Sequence, residues 1–567
     1  MEKPWLAHYE DVVPHTLTYP EISLHQMLDD TTRQFADRPA IHLVLRYLGP
    51  LTLGARLTYG QLSAEVDRFA SALHALGVRK GERVALMLPN LPQFVIAFYG
   101  ALKLGAVVVN TNPQYTGREI EHQFSDAGAE TVVLLSPFYE RLREVQAQTP
   151  VKRVIVTDVP DYVPAPFNAL VKRTLQKDGL MVDVPPADGV YHFRPLLEQH
   201  PEAPPAVAVS ADEVALFQYT GGTTGVPKAA MLTHANLVAN TIQTRNWMKT
   251  LQEGKERMMG AIPFFHVYGM TVCMTMGIYI GAELILLPNP RPIDNVMKAI
   301  HKEKATVYPG VPAMYIGIIN HPDVGKYDLR SVKACISGAA PLPMDVQIKF
   351  GEITGGRLVE GYGLTEAAPV THCNPIYGER RTGSIGLPFP DVEAKIMDYE
   401  KFVEKPVNED GELWLRGPQV MKGYWQQPDE TAKTITEDGW LRTGDIARMD
   451  AGGYFYIVDR LKDIIIASGF NIIPREVEEV LFEHPKVQEA VVAGVPDPYR
   501  GETVKAYIVL KPGETATPEE IIAFCQERLA RFKVPKQVEF RSELPKTMVG
   551  KFLRRVLVEE EKRKLAQ

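Results

Sequence analysis

Tyr219-Thr-Gly-Gly-Thr-Thr-Gly-Val-Pro-Lys228 is the stretch on which the reading of the chain turns. The apolar run from Val214 to Tyr219 predicts a buried strand, and three glycines, three threonines and a lysine follow within nine residues. That composition suits polyphosphate: glycines let backbone N–H groups approach oxygens, hydroxyls donate hydrogen bonds, and the ammonium supplies charge. It is not the G-x-x-x-x-G-K-[ST] loop of P-loop NTPases, which opens directly into a helix. Here Val226 and Pro227 separate the last glycine from Lys228, and Ala229-Ala-Met-Leu232 reads as a second short strand, with a helix only after Thr233. A ligand-free Gly/Thr hairpin has the same local composition, so the surrounding chain must decide.

Upstream, Ser23–Phe35 predicts an amphipathic helix, Ala40–Leu45 a strand, and Thr58 the cap of a helix running to Leu76. Arg83–Leu88, Ala106–Asn110 and Thr131–Leu135 predict buried strands separated by helices at Gln93–Leu104 and Arg118–Ala127. Such alternation implies parallel sheets covered by helices. From about Asp161 to Pro205 the pattern loosens into a surface excursion that rejoins the fold at Asp212. Its mixed basic and apolar run Ala169–Lys177 reads as a surface helix or as a membrane or partner contact. Downstream, alternation continues to about Glu400, and Asp410–Arg416 and Gly453–Val458 predict antiparallel strands of a smaller β unit. The charged pentapeptide Asp459-Arg-Leu-Lys-Asp463 between apolar strands marks a domain boundary. Beyond it, Ile464–Gln567 predicts a compact α+β unit ending in a lysine- and glutamate-rich helix.

At 567 residues the chain exceeds a single core, and 45% hydrophobic with 23% charged residues is ordinary for a soluble enzyme. A net charge of −7 argues against a nucleic-acid partner bound through its phosphates. Cys273, Cys335, Cys373 and Cys525 are widely spaced, giving neither a disulfide framework nor a metal site, which fits a reducing cytoplasm. No signal peptide is visible at the start. Leu91–Val109 and Met270–Leu287 approach spanning length, but their polar residues make each a buried helix followed by a strand. Peripheral membrane contact and a homodimer remain open.

Four further stretches carry chemistry. Ile262-Pro-Phe-Phe-His-Val-Tyr-Gly269 sets a histidine among aromatics, where a satisfied core histidine is the ordinary outcome. Cys335-Ile-Ser-Gly-Ala-Ala-Pro341 is a strand ending in small residues, against whose backbone a planar ring can lie. Glu360-Gly-Tyr-Gly-Leu-Thr-Glu366 combines an aromatic for stacking, a hydroxyl for phosphate and a carboxylate able to hold Mg²⁺. Trp440-Leu-Arg-Thr-Gly-Asp445 ends in a carboxylate suited to a ribose diol.

Taken together with Asp459–Asp463, Ser468-Gly-Phe-Asn471 and Pro545-Lys-Thr-Met-Val-Gly-Lys551, these motifs resemble those of the acyl-adenylate-forming enzymes (acyl-CoA synthetases, luciferases, adenylation domains). The resemblance covers essentially the whole length and is greatest to bacterial long-chain fatty acid:CoA ligases. It implies an α/β fold with a large N-terminal domain, 1–459, of helix-covered, mostly parallel sheets plus the small β unit. A hinge at 460–463 and a mobile C-terminal α+β lid, 464–567, would follow. It also implies ATP, Mg²⁺ and coenzyme A, with a long-chain fatty acid as the acid substrate.

Residue by residue, the resemblance assigns Thr220, Thr223, Thr224 and Lys228 to the phosphates, Gly338, Ala339 and Tyr362 to the adenine, and Asp445 and Arg460 to the ribose. It places Thr365 at the α-phosphate, Thr223 and Glu366 at Mg²⁺, and His266 beside the reacting carboxylate. Lys551 is the implied catalytic lysine, Lys462 the pivot of the lid, and Gly469 part of the channel for the CoA thiol. Three positions depart from the family pattern: Ala229 replaces a glycine, Val549 a hydroxyl residue, and Met270 stands where some relatives carry a gating tryptophan. Alternatives within the family are a medium-chain or aryl acid:CoA ligase, an enzyme that stops at acyl-AMP, an amino-acid adenylation domain and a luciferase-like oxygenase. Outside it stands a non-catalytic acyl or nucleotide binder, which would not need Lys551 on a separate lid.

Overall fold

The computed structural model describes residues 3–49, 51–220, 227–467, 470–497, 501–547 and 552–566. Packing divides the chain into two compact units: Leu6–Glu393 with Arg416–Gly439, and Met1–Trp5 with Ala394–Leu415 and Trp440–Gln567.

The larger unit is built on an eight-stranded sheet. From Val214–Thr220 it runs through Val107–Asn110, Arg83–Met87, Ala129–Leu135 and Arg153–Thr157 to Val190–His192, and these neighbours are all parallel. On the other side Lys228–Thr233 and then Gly423–Tyr424 add antiparallel strands. Val107–Asn110 is buried at every residue, as is all of Arg83–Met87 except its arginine, the signature of strands covered on both faces. Two four-stranded sheets complete the framework: Arg257–Gly260, Glu283–Leu286, Pro39–Leu48, Leu51–Thr58, and Ala334–Ser337, Arg357–Gly363, Val370–Cys373, Leu387–Pro388. Parallel bridges from Val307 to Met258 and Ala334, and from Gly310 to Ser337, stitch the two together.

The helices follow from local signals. Thr58 accepts a hydrogen bond from the Gln61 N–H in a capping box that starts Tyr59–Ala75. Pro92–Lys103 packs against Tyr59–Ala75 and is buried at every position but Lys103, so its sequence carries no polar stripe. Three elements go beyond the sequence reading. Leu51–Thr58 pairs antiparallel with Pro39–Leu48, and Val190–His192 returns the excursion to the sheet edge well before Asp212. The buried segment after His266 begins as a π-helix, Gly269–Thr275, before Met276–Tyr279 and the strand Glu283–Leu286.

In the smaller unit, Gly411–Arg416 and Phe455–Arg460 are antiparallel strands as expected, each paired with Leu441–Met449 between them. The last hundred residues form a five-stranded sheet with helices Pro474–Glu483, Pro518–Gln526 and Arg554–Ala566. Ile465, Ile472, Leu481, Val492, Ile508 and Ile521 form its core. The pentapeptide is not a bare linker: Asp459 and Arg460 finish a strand, and Leu461–Asp463 form one helical turn. No helix among the described residues is long and apolar enough to cross a membrane.

Candidate active site

In the larger unit the sequence-predicted residues gather beyond the carboxyl ends of parallel strands, where open α/β sheets present ligands. Thr220 ends Val214–Thr220, His266 follows Arg257–Gly260, Gly338 and Ala339 follow Ala334–Ser337, and Tyr362 lies near the end of Arg357–Gly363. Thr220 and Lys228 are cross-strand partners, so both described ends of the glycine–threonine stretch are pinned together. Thr223, Thr224, Gly469 and Lys551 lie outside the described residues.

Lys228 is buried, its ammonium paired with Glu430 and 5.4 Å from the centroid of the Tyr424 ring. Hydrogen bonds from Lys228 and Lys433 hold the Glu430 carboxyl down at about 2. Tyr424, opposite Ala230 on the neighbouring strand, donates its hydroxyl to Glu366 Oε1 at 2.8 Å. Burial and the Glu366 carboxylate push that phenol far above its ordinary value, so it remains a donor. Glu366 sits on the turn Thr365–Ala367, and its carbonyl accepts the Met421 N–H at 2.8 Å. The turn closes tightly: a Cβ on Gly363 would stand 2.1 Å from the Pro369 carbonyl oxygen, which only glycine avoids. An ammonium, a phenol and a carboxylate are thus linked in one chain, able to meet a phosphate from one end and a hard cation from the other.

His266 is positioned by a buried amide. Asn90 donates to the carbonyls of Gly260 and Ile262 at 2.9 and 2.7 Å and accepts the Phe264 N–H at 2.8 Å, fixing the loop that precedes the histidine. Gln218 donates to the Phe265 carbonyl at 3.1 Å, tying this loop to the strand that ends at Thr220. The imidazole Nδ1 accepts the Tyr268 N–H at 3.3 Å, which leaves the ring proton on Nε2. Thr271 then donates to the Ala368 carbonyl at 2.9 Å, joining the π-helix to the turn after Glu366. The Thr220–Lys228 hairpin, the His266 loop and the Thr365–Glu366 turn are therefore interconnected.

Gly338 is buried against the Tyr268 ring, where a Cβ would come within 3.2 Å. Ala339 is exposed at φ 69°, a left-handed conformation uncommon for a residue with a side chain. Gly361, beside Tyr362, would carry a Cβ 2.8 Å from Ile336. Small residues on adjacent strands leave a shelf of backbone next to the half-buried Tyr362 ring, a surface suited to a flat base.

For a divalent cation the described donor is the Glu366 carboxylate, and no group of three or more His, Cys, Asp or Glu converges among the described residues. One carboxylate completed by substrate phosphates is an ordinary way to hold Mg²⁺, so the residues fit it.

In the smaller unit, Asp445 and Arg460 face each other across two strands, with Arg460 Nε 3.1 Å from Asp445 Oδ1. Thr443 donates to the Leu413 carbonyl at 2.7 Å and accepts the Asp445 N–H at 3.1 Å, while Gly444 turns at φ 69°. The buried Asp445 is thus held rigidly, and Lys462 lies in the turn Leu461–Asp463. Sequence reasoning missed Asn90, Tyr424 and Glu430, whose partners Phe264, Glu366 and Lys228 are remote in the chain.

Comparison with known proteins places these observations. Residues 28–425 match the AMP-binding enzyme family, and residues 476–551 match the AMP-binding enzyme C-terminal domain. A long-chain-fatty-acid–CoA ligase of Bacillus subtilis (strain 168) is 47% identical over 99% of this chain and 98% of its own. One from Escherichia coli O157:H7 is 40% identical over 100% and 99%. The crystal structure of the anthranilate CoA ligase AuaEII in complex with anthranoyl-AMP superposes with a TM-score of 0.83 at 26% identity, covering 97% of this chain and 99% of that one. With both family segments in order along the chain, the protein belongs to the AMP-binding enzyme family.

Proposed function

We propose that this protein joins a long-chain fatty acid to coenzyme A with ATP, through an acyl-AMP intermediate, releasing AMP and pyrophosphate. The observation that carries this reading is the end-to-end similarity to two long-chain-fatty-acid–CoA ligases.

The first half-reaction brings two anions together. A carboxylate oxygen bonds to the α-phosphorus, and the bond to the bridging oxygen breaks as its electron pair leaves on pyrophosphate. The barrier is electrostatic and geometric, and little general-base work is required because the acid is already ionised. Thr220, Thr223, Thr224 and Lys228 hold the phosphates, and Thr365 donates to the α-phosphate. Glu366 and Thr223 would hold Mg²⁺, which when bound neutralises phosphate charge. His266 stands beside the carboxylate, its ring oriented by the Tyr268 N–H that Nδ1 accepts. Gly338, Ala339 and Tyr362 hold the adenine, while Asp445 and Arg460 hold the ribose. Lys551 contributes its ammonium to this step alone. In the second half-reaction the CoA thiol, entering past Gly469, attacks the acyl carbonyl and AMP departs, once rotation at Lys462 has withdrawn the lysine.

The test is CoA-dependent AMP formation across saturated acids from acetate to stearate. A maximum among long acids is expected, and a maximum at short or aromatic acids overturns the substrate assignment.

Peripheral membrane contact belongs to the same proposal, since such acids partition into bilayers. The helix Phe167–Lys177 buries Val171 but leaves Phe167 and Leu170 43% and 55% exposed, followed by Leu180 at 59%. Lys172, Arg173 and Lys177 lie on the helix with no acidic residue, within a chain of net charge −7. Co-sedimentation with anionic phosphatidylglycerol vesicles should exceed that with phosphatidylcholine and be lost in Leu170→Glu. Equal sedimentation of both proteins overturns the contact.

A further inference from the structure

The strand that carries Asp445 bulges beside a buried carboxylate to which the proposed reaction gives no part. In the smaller unit Glu412 pairs with Ile446 and Trp414 with Arg442, so Thr443, Gly444 and Asp445 stand opposite Leu413 alone. A bulge leaves backbone groups without ladder partners. Side chains and one carbonyl meet them here: Thr443 donates to the Leu413 carbonyl at 2.7 Å and accepts the Asp445 N–H at 3.1 Å, and Glu412 Oε1 accepts the Gly444 N–H at 3.1 Å.

Glu412 is 3% exposed, and burying a carboxylate costs desolvation, so the reason for it must lie in what it holds. Its second oxygen, Oε2, accepts the Trp414 Nε1–H at 2.8 Å and stands 3.7 Å from Arg442 Nε. With one donor on each oxygen the carboxylate cannot rotate without losing a charge-assisted hydrogen bond. Gly444 turns at φ 69° with no atom within 4 Å of a Cβ built there, so backbone conformation and not space demands the glycine. The peptide that Glu412 holds is therefore the pivot of the bulge, one residue before Asp445.

We propose that Glu412 is a positioning residue for the nucleotide, fixing the Gly444 peptide and with it the direction in which the Asp445 carboxylate meets the ribose hydroxyls. This rests on the reading above that Asp445 holds the ribose. Loss of the Glu412 hydrogen bond should weaken recognition of those hydroxyls more than it lowers turnover.

Acyl-AMP formation from palmitate is measured with ATP and with 2′,3′-dideoxy-ATP, and the ratio of the two kcat/KM values reports recognition of the hydroxyls. The ratio should fall steeply in Asp445→Asn and roughly 10-fold in Glu412→Gln, the scale of one lost hydrogen bond to a charged group. In Glu412→Gln one oxygen becomes an NH₂, so the remaining carbonyl can serve Trp414 or Gly444 but not both. Trp414→Phe removes the indole donor. Alone it should keep the wild-type ratio, and combined with Glu412→Gln it should restore much of the loss by freeing the carbonyl for Gly444. A purely structural role predicts the reverse, a double variant worse than either single one. Melting temperatures are recorded for all, and Gly444→Ala, which strains the same peptide without a clash, should also lower the ratio and serves if Glu412→Gln does not fold. If Asp445→Asn lowers the ratio while folded Glu412→Gln or Gly444→Ala keeps it, or the double variant shows no recovery, the inference is wrong and the functional reading stands. If Asp445→Asn keeps the wild-type ratio, the ribose reading fails and takes the inference with it.

Discussion

Glu430 shows what a single residue contributes beyond its motif. It holds the Lys228 ammonium at the base of the glycine–threonine hairpin, and its carboxyl sits at about 2 instead of its ordinary 4.5. A depressed folded value means that the contribution is complete above pH 4.5 and is lost as pH falls through 2. With the Glu430 side chain 28% exposed, solvent screening limits the pair to about 1 kcal/mol. Glu430→Gln should lower the unfolding free energy by about that amount at neutral pH and flatten the stability profile between pH 4.5 and 2, followed by urea unfolding. A wild-type slope across that window would contradict the assignment. The two strands that flank the glycine–threonine stretch were legible because an apolar run ending at a cluster of glycines is a local feature of sequence. Glu430, 202 residues from Lys228, has no local signal, and neither does Tyr424, 58 residues from Glu366.

Among elements, the loop from Gly260 to His266 depends on one amide. Asn90→Ala should remove three hydrogen bonds and leave buried backbone groups unsatisfied, costing about 2–3 kcal/mol in denaturant unfolding. Turnover should fall more than affinity for ATP, because the loop carries the histidine and not the residues proposed to hold the phosphates. Unchanged turnover in the folded variant would show that His266 is held by something else. The strand–helix alternation around this loop could be read directly, since fully buried strands and capped helices leave plain composition and cap signals. Leu51–Thr58 could not: Gly54 breaks its run of side chains, and the structure requires that glycine because a Cβ there would stand 1.8 Å from the Leu43 carbonyl oxygen. Val190–His192 is three residues at a sheet edge, too short for any period to register. The π-helix Gly269–Thr275 is buried at every residue, so no periodic polar face marks its hydrogen-bond pattern in the sequence.

For the whole molecule, the residues assigned to phosphate, carboxylate and adenine belong to the larger compact unit, and those assigned to the ribose and the pivot belong to the smaller one. A pentapeptide ending in a single helical turn, Leu461–Asp463, is where the proposed rotation concentrates. Lys462→Pro fixes φ at that point and should leave acyl-AMP formation measurable while blocking transfer to CoA. Wild-type acyl-CoA production by this variant would remove Lys462 as the pivot. The family assignment and the two-part architecture both rest on motifs spread along the chain, which is why they were readable without coordinates. The grip of Arg554 on Asp463 and Glu478, 91 and 76 residues away, was not. The central claim is that this protein activates a fatty acid as its adenylate before CoA takes part. Exchange of labelled pyrophosphate into ATP, followed without CoA in the presence of palmitate, tests it most directly. Exchange that requires the acid is the predicted result; no exchange with any acid, or ADP as the nucleotide product, would contradict it.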